Sequence, residues 1–402
     1  MSFIPSRAAG LDRLAAFVPH AGRAYADGRN SDPGPDQQQA VSLLSPYLRT
    51  RLLSEHEVVQ AVTAQHSFGL CEKFVQEVLW RTYWKGWLEL RPAVWSRFAA
   101  ERDALAIRGG VGGGMQKAIG AAESGTTGIH GFDDWACELV ERGYLHNHAR
   151  MWFASIWIFT LRLPWAAGAD FFLRHLIDAD PASNTLSWRW VAGLQTAGKT
   201  YLATADNIAR FTGGRFAPKG LATTAQPLSE DPLPRPAPLE PLPSYDPAAP
   251  ALLLITPEDL SPETLFAGAG SIRAVHAVAA VSGWPWGEQA GAFVAPAAAD
   301  ATQRASAAFG CPGAVQAVLD GPALIAAARA ANVSTIVTAY APVGPAADAL
   351  AALAPQLAAE GITLHQRRRV WDDAFWPHAT KGFFPFRERI SALLAEQGIV
   401  LR

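Results

Sequence analysis

The sequence is short of cysteine, of net charge and of long apolar runs. Three of its 402 residues are cysteines, too few for a disulfide framework or a cysteine-based metal site, so no metal is expected. The formal net charge of −2 argues against a protein that coats nucleic acid by bulk charge. The most apolar stretch, residues 151–165, contains Arg162 and Pro164 and is shorter than the ~20 residues of a membrane span. These absences predict a soluble, cytoplasmic protein with no membrane partner.

The composition is otherwise that of a folded chain rich in tryptophan. Half of the residues are hydrophobic and 17% are charged, which excludes a mostly disordered protein. Fourteen residues are tryptophans, ten of them before residue 191. They form either a large aromatic core or a site that stacks planar rings or moves electrons, and composition does not decide between the two.

A proline-rich segment divides the chain. Residues 226–250 contain nine prolines and read as an extended linker between a helical domain (1–225) and an α/β domain (251–402). Apolar residues recur at helical spacing in the first domain, whereas short apolar runs alternate with alanine-rich helices in the second. This alternation predicts a small doubly wound parallel sheet. The predicted helices are 46–65, 72–90, 133–144, 147–163, 321–331 and 345–360, and the predicted strands are 251–255, 272–281, 335–339 and 362–365.

Two helical segments carry candidate site residues. Ser42 and Ser45 precede Pro46, an arrangement that suits a plain helix cap or the binding of phosphate oxygens. Glu77 and Arg81 share one helix face with Trp80 and Trp84. That stripe forms either a ligand site or a solvated edge with a Glu–Arg pair four residues apart.

Two further segments follow in the chain. His146 and His148 are two residues apart, which disfavours a two-histidine metal site, whereas Asn147 and Met151 share a helix face. Residues 178–190 are rich in Asp, Ser and Asn and predict an irregular hydrogen-bonding loop. This loop leads into two tryptophans, and its two aspartates can form a buried ion pair with the arginine at position 150.

Together these segments resemble the helical flavin-binding domain of the DNA photolyase and cryptochrome family. The resemblance covers Tyr25 to Phe216. Residues 147–151 resemble the family's His-Asn-Arg-x-Arg-Met segment, and residues 176–190 resemble its Leu-Ile-Asp-x-Asp…Asn-Asn-Gly-Gly-Trp-x-Trp segment. The family's Thr-Ser-x-Leu-Ser turn is matched by Ser42, Leu44 and Ser45, and its Glu-x-x-Trp-Arg helix by Glu77, Trp80 and Arg81.

The resemblance implies that the helical domain binds FAD without a covalent bond. The residues implied to bind it are Tyr25, Ser42, Leu44, Ser45, Arg81, Arg150, Asp178, Asp180 and Asn184. Asn184 is expected to face flavin N5, Trp188 to be the nearest electron donor and Trp165 the second. In the α/β domain, an antenna chromophore is possible.

The leading function that the resemblance implies is light-driven repair of cyclobutane pyrimidine dimers in DNA. Glu77 would hydrogen-bond the flipped-out lesion, and its other contacts would be Trp80, Asn147, Met151 and Trp190. The alternatives are a cryptochrome-like blue-light photoreceptor that acts on a signalling protein, and a flavoprotein that serves only as a scaffold. The oligomeric state stays open.

The sequence departs from the family pattern in several places. Val41 replaces a threonine, and residues 185–187 replace Asn-Gly-Gly. The third tryptophan of the electron chain is absent from residues 120–123, so Trp135, Trp152 or Trp157 is a possible substitute. The α/β domain resembles the family's antenna domain placed after the helical domain, as in a circular permutation, or else is a generic appended domain. Candidates for a phosphate-binding rim are Arg23, Lys85, Lys117, Arg189 and Lys199.

Overall fold

The computed structural model describes residues 3–38, 40–107, 112–268, 271–284 and 286–402. A helical part is followed by a part built on a parallel β-sheet. In the described ranges, no helix is both long and apolar enough to cross a membrane.

The helical part is a bundle of α-helices interrupted by short turns. One turn of 3-10 helix covers Val18–His20, and one turn of π-helix covers Ile156–Thr160. The α-helices in chain order are α1 (Arg7–Phe17), α2 (Arg23–Gly28), α3 (Ser45–Arg49), α4 (Glu55–Gln65), α5 (Phe68–Glu89), α6 (Ala93–Ala106), α7 (Gly113–Glu123), α8 (Phe132–Arg142), α9 (Asn147–Ser155), α10 (Trp165–His175), α11 (Pro181–Ala192) and α12 (Ala205–Phe211).

The second part is a five-stranded parallel sheet with the strand order β3-β2-β1-β4-β5. Its central register pairs Leu253 of the first strand with Val275 of the second and Val337 of the fourth. The elements are β1 (Ala251–Ile255), α13 (Pro262–Leu265), β2 (Ile272–Ala280), α14 (Glu288–Phe309), β3 (Gly313–Val318), α15 (Gly321–Ala330), β4 (Thr335–Ala339), α16 (Pro345–Ala359), β5 (Thr363–Arg367), α17 (Val370–Phe375), α18 (Phe383–Arg387) and α19 (Ile390–Glu396).

One face of the sheet continues the core of the helical part. Side chains alternate between the faces of a strand. In β1, Leu253 and Ile255 belong to the large cluster that also contains the helical core, and Leu252 and Leu254 belong to a smaller cluster on the other face. The carboxyl end of β1 therefore lies beside the helical bundle.

Several predicted boundaries were wrong. The helix predicted over 46–65 is two helices, because Ser54 caps α4 in a reciprocal capping box with Glu57. The prediction also omitted α14 and β3. The edge strand β3 is Gly-Ala-Val-Gln-Ala-Val and mostly exposed, so it lacks the apolar run by which buried parallel strands are recognised.

Glu89, the last residue of α5, forms hydrogen bonds to the segment that follows β4. Its carboxylate accepts hydrogen bonds from the Tyr340 hydroxyl (2.8 Å) and the Val343 backbone N–H (2.5 Å). Burial raises the pKa of Glu89 to about 7, although both hydrogen bonds act to lower it. The carboxyl group is therefore partly protonated near neutral pH.

Glu89→Gln is expected to stabilise the protein in a pH-dependent way. A raised carboxyl pKa means that the folded state binds the proton more tightly than the unfolded state does. The free energy of unfolding therefore falls as the pH rises from the pKa of the unfolded state through the pKa of the folded state. The variant should gain about 1–3 kcal/mol of unfolding free energy at about pH 8 and little at about pH 5. Urea unfolding at both pH values measures this, and an equal gain at both would contradict the assignment.

Candidate functional site

Helix α11 begins at a buried aspartate. The Asp180 carboxylate accepts a hydrogen bond from the Ser183 backbone N–H (2.8 Å), and Pro181 occupies the first turn. Both are helix-start signals, so the irregular loop predicted over 178–190 is wrong from Pro181 onward. The helix places Asn184 and Trp188 on one face, four residues apart.

The predicted ion pair is formed just before this helix. Arg150 Nη2 donates to Asp178 Oδ2 at 2.8 Å, and Arg150 Nε donates to the Leu145 carbonyl at 2.9 Å. Burial alone would raise the pKa of Asp178, but the guanidinium of Arg150 lowers it, so the aspartate is ionised. Its second oxygen, Oδ1, is buried and has no hydrogen-bond partner among the residues that the structure describes.

The polar stripe of α5 faces two different partners. Arg81 Nη1 lies 3.5 Å from Asp180 Oδ2. Glu77 Oε1 lies 3.8 Å from Arg29 Nε, and the Glu77 side chain is 42% exposed. Burial nevertheless raises the pKa of Glu77. Glu77 is exposed, as expected for a solvated edge, but its ion-pair partner is Arg29 and that of Arg81 is Asp180, so the expected Glu77–Arg81 pair is not formed.

The serine-rich turn before α3 is folded on itself. The Ser42 hydroxyl oxygen accepts a hydrogen bond from the Leu44 backbone N–H (3.3 Å), and Ser45 is the half-buried first residue of α3. Leu44 is fully buried, and Tyr25 packs edge-on against Phe74 in the core. The hydroxyl of Ser42 keeps its donor for a ligand, whereas Leu44 and Tyr25 contribute chiefly apolar packing here.

The two histidines at the start of α9 contact the backbone that follows α2. His146 Nδ1 accepts from the His148 N–H, and its Nε2 lies 3.1 Å from the Arg29 carbonyl oxygen. Burial lowers the pKa of His146 to about 4, so the ring is neutral and Nε2 donates. His148 Nδ1 lies 2.7 Å from the Asn30 carbonyl oxygen. These contacts fix the segment that carries Arg29, the ion-pair partner of Glu77.

At the start of α9, the predicted lesion contacts differ in exposure. Asn147 is exposed and Met151 is partly buried. Trp190, on α11, is also partly buried and stacks on Tyr201 with ring centroids 5.7 Å apart.

The ring of Trp80 is already stacked. Phe383 of α18 lies against it with ring centroids 3.6 Å apart and an interplanar angle of 12°. Trp84 contacts it at 5.2 Å in a tilted arrangement. One face of Trp80 is therefore covered by the C-terminal part of the chain.

Trp188 is enclosed by other rings. Its centroid lies 5.1 Å from that of Phe172 and 6.1 Å from that of Trp157. Trp165 contacts Phe98 at 5.6 Å. Of the three proposed substitutes for the missing tryptophan, Trp157 contacts Trp188, whereas Trp135 and Trp152 stack on each other at 5.4 Å.

Residues 74–218 match the family model described as the FAD binding domain of DNA photolyase. This segment is similar to the FAD-binding domain of DNA photolyases. The chain is 35% identical over 173 residues to a protein of Streptomyces griseus named deoxyribodipyrimidine photo-lyase, an alignment that covers 43% of this chain and 35% of the relative. It is 33% identical over 196 residues to a protein of the same name from Agrobacterium fabrum, with 47% of this chain and 38% of the relative covered.

Among solved structures, the chain is similar to a bacterial class III photolyase from Agrobacterium tumefaciens. The TM-score is 0.42 and the identity 27%, over 52% of this chain and 43% of the other. The chain thus spans little more than a third of the length of the two curated relatives and less than half of this structure.

The polar groups of the segment matched by the family model fit a flavin nucleotide. Within the described ranges, buried polar atoms without a hydrogen-bond partner include Arg81 Nη1, Asp178 Oδ1 and Ser183 Oγ. They supply a cationic donor, an anionic acceptor and a hydroxyl within one neighbourhood, because Arg81 contacts the aspartate that caps Ser183. Such buried groups need partners, and FAD offers phosphates, ribose hydroxyls and a polar ring edge.

Two residues of the predicted phosphate-binding rim are buried inside the segment matched by the family model. Lys85 and Arg189 are 2% and 1% exposed, respectively. Arg189 is bonded to Glu230, and Lys85 to Asp180. The rim prediction is wrong for both, because each cation is buried and paired with a carboxylate of the same chain.

The sequence analysis gave one residue of this site another role and missed two more. Lys85 was named only as a rim candidate, although it lies one helical turn beyond Arg81 on the same face of α5. Arg29 and Tyr144 had no motif around them, yet Arg29 pairs with Glu77 and the Arg150 guanidinium lies 5.4 Å from the Tyr144 ring centroid.

Proposed function

We propose that this protein binds FAD and uses it for light-driven repair of cyclobutane pyrimidine dimers in DNA. The observation that carries the proposal is the cluster of charged groups around Asp178 and Asp180, paired with Arg150 and Arg81, inside the segment matched by the family model. Glu77 lies one helical turn from Arg81 on the same face of α5. The curated relatives named deoxyribodipyrimidine photo-lyase support the same reaction and a lyase activity.

The proposed FAD site is made of groups that this chain holds in place. FAD, when bound, absorbs blue light and exchanges single electrons. Ser42, Ser45 and Arg81 are assigned to its phosphates, and Asp180 to the ring or ribose. Asn184 Nδ2 donates to the Ala169 carbonyl at 2.7 Å, so the group it offers a ligand is its carbonyl oxygen. The remaining proposed contacts are Tyr25, Leu44, Arg150 and Asp178.

The proposed electron donors are Trp188 and then Trp165. Trp188 is 2% exposed, and in the described part of the chain its indole N–H has no hydrogen-bond partner. Burial among aromatic rings keeps water away from this side chain. Its contact with Trp157 offers a second route through the same aromatic cluster.

We propose that the protein has a recess beside Glu77, which the lesion enters after it leaves the duplex. Glu77 faces that recess with a raised pKa, so its carboxyl group is suited to share a proton with a pyrimidine carbonyl. Trp80 and Trp190 are assigned to the lesion rings, and Asn147 and Met151 to its flanks. Because Phe383 covers one face of Trp80, the lesion would use the remaining surface of that ring.

The α/β part is proposed to be the family's antenna-like domain in a permuted order. Its support is the five-stranded parallel sheet following the proline-rich segment, and its position after the helical domain rather than before it. An antenna chromophore belongs to this proposal.

A matched pair of variants on α5 tests the repair function. Glu77→Gln removes the carboxylate in the recess, whereas Glu72→Gln changes a carboxylate on the same helix that pairs with Arg387. With FAD bound and reduced, Glu77→Gln is expected to lower dimer repair under blue light about a hundredfold, and Glu72→Gln to leave it unchanged. Equal repair by both variants would contradict the assigned role of Glu77.

The second candidate function is a cryptochrome-like photoreceptor without repair activity. The observation that favours it is the stack of Phe383 on Trp80, since a ring needed for a lesion is already partly occupied. This function predicts bound FAD and a light-induced structural change, with no loss of dimers from single- or double-stranded DNA. A signalling protein would then be the partner.

A further inference from the structure

The turn that carries Asp178 and Asp180 is held from the α/β part of the chain. Arg49 of α3 is 1% exposed, and its Nε donates to the Ala179 carbonyl at 2.5 Å. The same guanidinium makes two hydrogen bonds to Glu258, at 2.8 and 3.2 Å. Glu258 follows β1 at the carboxyl edge of the sheet. One arginine thus links the backbone between the two aspartates to a carboxylate of the other part.

A second link runs in parallel through Lys85. Its Nζ lies 3.3 Å from Asp180 Oδ2 and 3.8 Å from Glu258 Oε2. The lysine and both carboxylates are at most 4% exposed. Glu258 is therefore linked to the turn in two ways. Arg49 connects it to the backbone carbonyl of Ala179, and Lys85 connects it to the side chain of Asp180.

Removing the charge of Glu258 would leave its two cations unbalanced. Buried charges are tolerated only when paired, and the loss of one partner leaves the others uncompensated. The carboxylate that remains beside Lys85 is that of Asp180, which Arg81 also approaches. Lys85 would then pair with Asp180 alone. Arg49 would lose the carboxylate that orients its Nε toward the Ala179 carbonyl.

We propose that Glu258 is a positioning residue that fixes the Asp178–Asp180 turn, and with it the FAD site, from the α/β part of the chain. This inference rests on the proposed FAD binding. It assigns the sheet a role in building the flavin site that is separate from any antenna role.

A second buried ion pair at the same interface provides the control. Arg51 donates to both oxygens of Asp372, at 2.8 and 2.6 Å, and both side chains are at most 3% exposed. The other carboxylates near Arg51 are Glu55 and Asp259. Asp372→Asn therefore removes a buried interface carboxylate whose hydrogen bonds go to Arg51 and not to the Asp178–Asp180 turn.

The first measurement uses the apoprotein, so that it does not depend on FAD. The Ser183 and Asn184 amides donate to Asp180, and their hydrogen exchange reports how firmly the turn is held. Glu258→Gln is expected to speed their exchange at least about tenfold more than Asp372→Asn does. Glu258→Asp, which keeps the charge, should restore part of the protection, and it is also the variant to use if the glutamine variant does not fold.

The second measurement is FAD binding and its midpoint potential in the full chain. Glu258→Gln is expected to weaken FAD binding at least about tenfold, as loss of a supporting group does at metal sites. It should also move the potential in the positive direction, because a negative charge is removed. Asp372→Asn should lower thermal stability only. If both variants lose stability while exchange, affinity and potential stay at the wild-type values, the positioning role is overturned.

The two proposals fail in different ways. A wild-type chain that binds no FAD overturns the proposed function, while exchange in the apoprotein still decides whether Glu258 holds the turn. If wild type and Glu258→Gln bind FAD equally tightly, only the positioning role is overturned.

Discussion

Asp180→Ala is expected to lower the free energy of unfolding by about 3–5 kcal/mol. The carboxylate caps α11 and is the counter-charge of Lys85 and Arg81, at 3.3 and 3.5 Å. Its removal leaves two cations in the interior facing an uncapped helix. Urea denaturation followed by tryptophan fluorescence measures the loss.

A comparison with Asp320, which caps α15, separates the contribution of the helix cap from that of the buried charge. Asp320 accepts a hydrogen bond from the Ala323 N–H at 2.9 Å in an exposed position, so Asp320→Ala should cost only about 1 kcal/mol, the typical value of a cap. Equal losses in the two variants would contradict the role of Asp180 as a buried counter-charge.

The effect of Asp180→Ala should also be constant around neutral pH. Burial alone would raise the pKa of Asp180, but the charges of Lys85, Arg81 and Arg49 lower it well below its ordinary value. A depressed carboxyl pKa gives stability that is complete above the unfolded pKa of ~3.9 and is lost as the pH falls toward the folded one. The difference from wild type should therefore shrink only in acid.

Gly168→Ala is expected to destabilise the protein by about 3 kcal/mol, because it overfills a rigid part of the core. A β-carbon at this position of α10 would touch the Trp188 ring, 2.6 Å from Cζ3, and lie 2.9 Å from Trp157 Cε2. Both rings are buried and cannot yield without moving their neighbours. The variant should also displace Trp188, which is read as a shift in its fluorescence.

Gly120 is the matched control for helix propensity. It lies inside α7, and a β-carbon there would have no neighbour within 4 Å. Gly120→Ala is expected to stabilise the protein by about 0.5–1 kcal/mol through propensity alone. If Gly168→Ala stabilises the protein to the same extent, that result would contradict the close contact between α10 and Trp188.

Local signals were enough to predict much of the architecture. The strands at 251–255 and 335–339 have the predicted bounds, because each is a short apolar run between breakers. The Arg150–Asp178 pair was also foreseen and is formed at 2.8 Å. Its residues lie in two segments whose residue order resembles a known family.

Other features depend on contacts that no local pattern encodes. The start of α11 was missed although Asp180 and Pro181 are ordinary helix-start residues, since the polar run after them was given more weight. The stack of Phe383 on Trp80 and the links from Glu258 to Lys85 and Arg49 join segments more than a hundred residues apart. Such pairings follow from how the sheet docks on the helices, and spacing along the chain does not predict them.

The central claim is that the recess beside Glu77 repairs DNA with a bound flavin. The most direct measurement is the loss of pyrimidine dimers from a defined oligonucleotide, incubated with the FAD-loaded, reduced protein under blue light and in the dark. Repair under light alone, strongly reduced in Glu77→Gln, is the predicted result. FAD-loaded protein that leaves the dimers intact in single- and double-stranded DNA would contradict the claim and favour the photoreceptor.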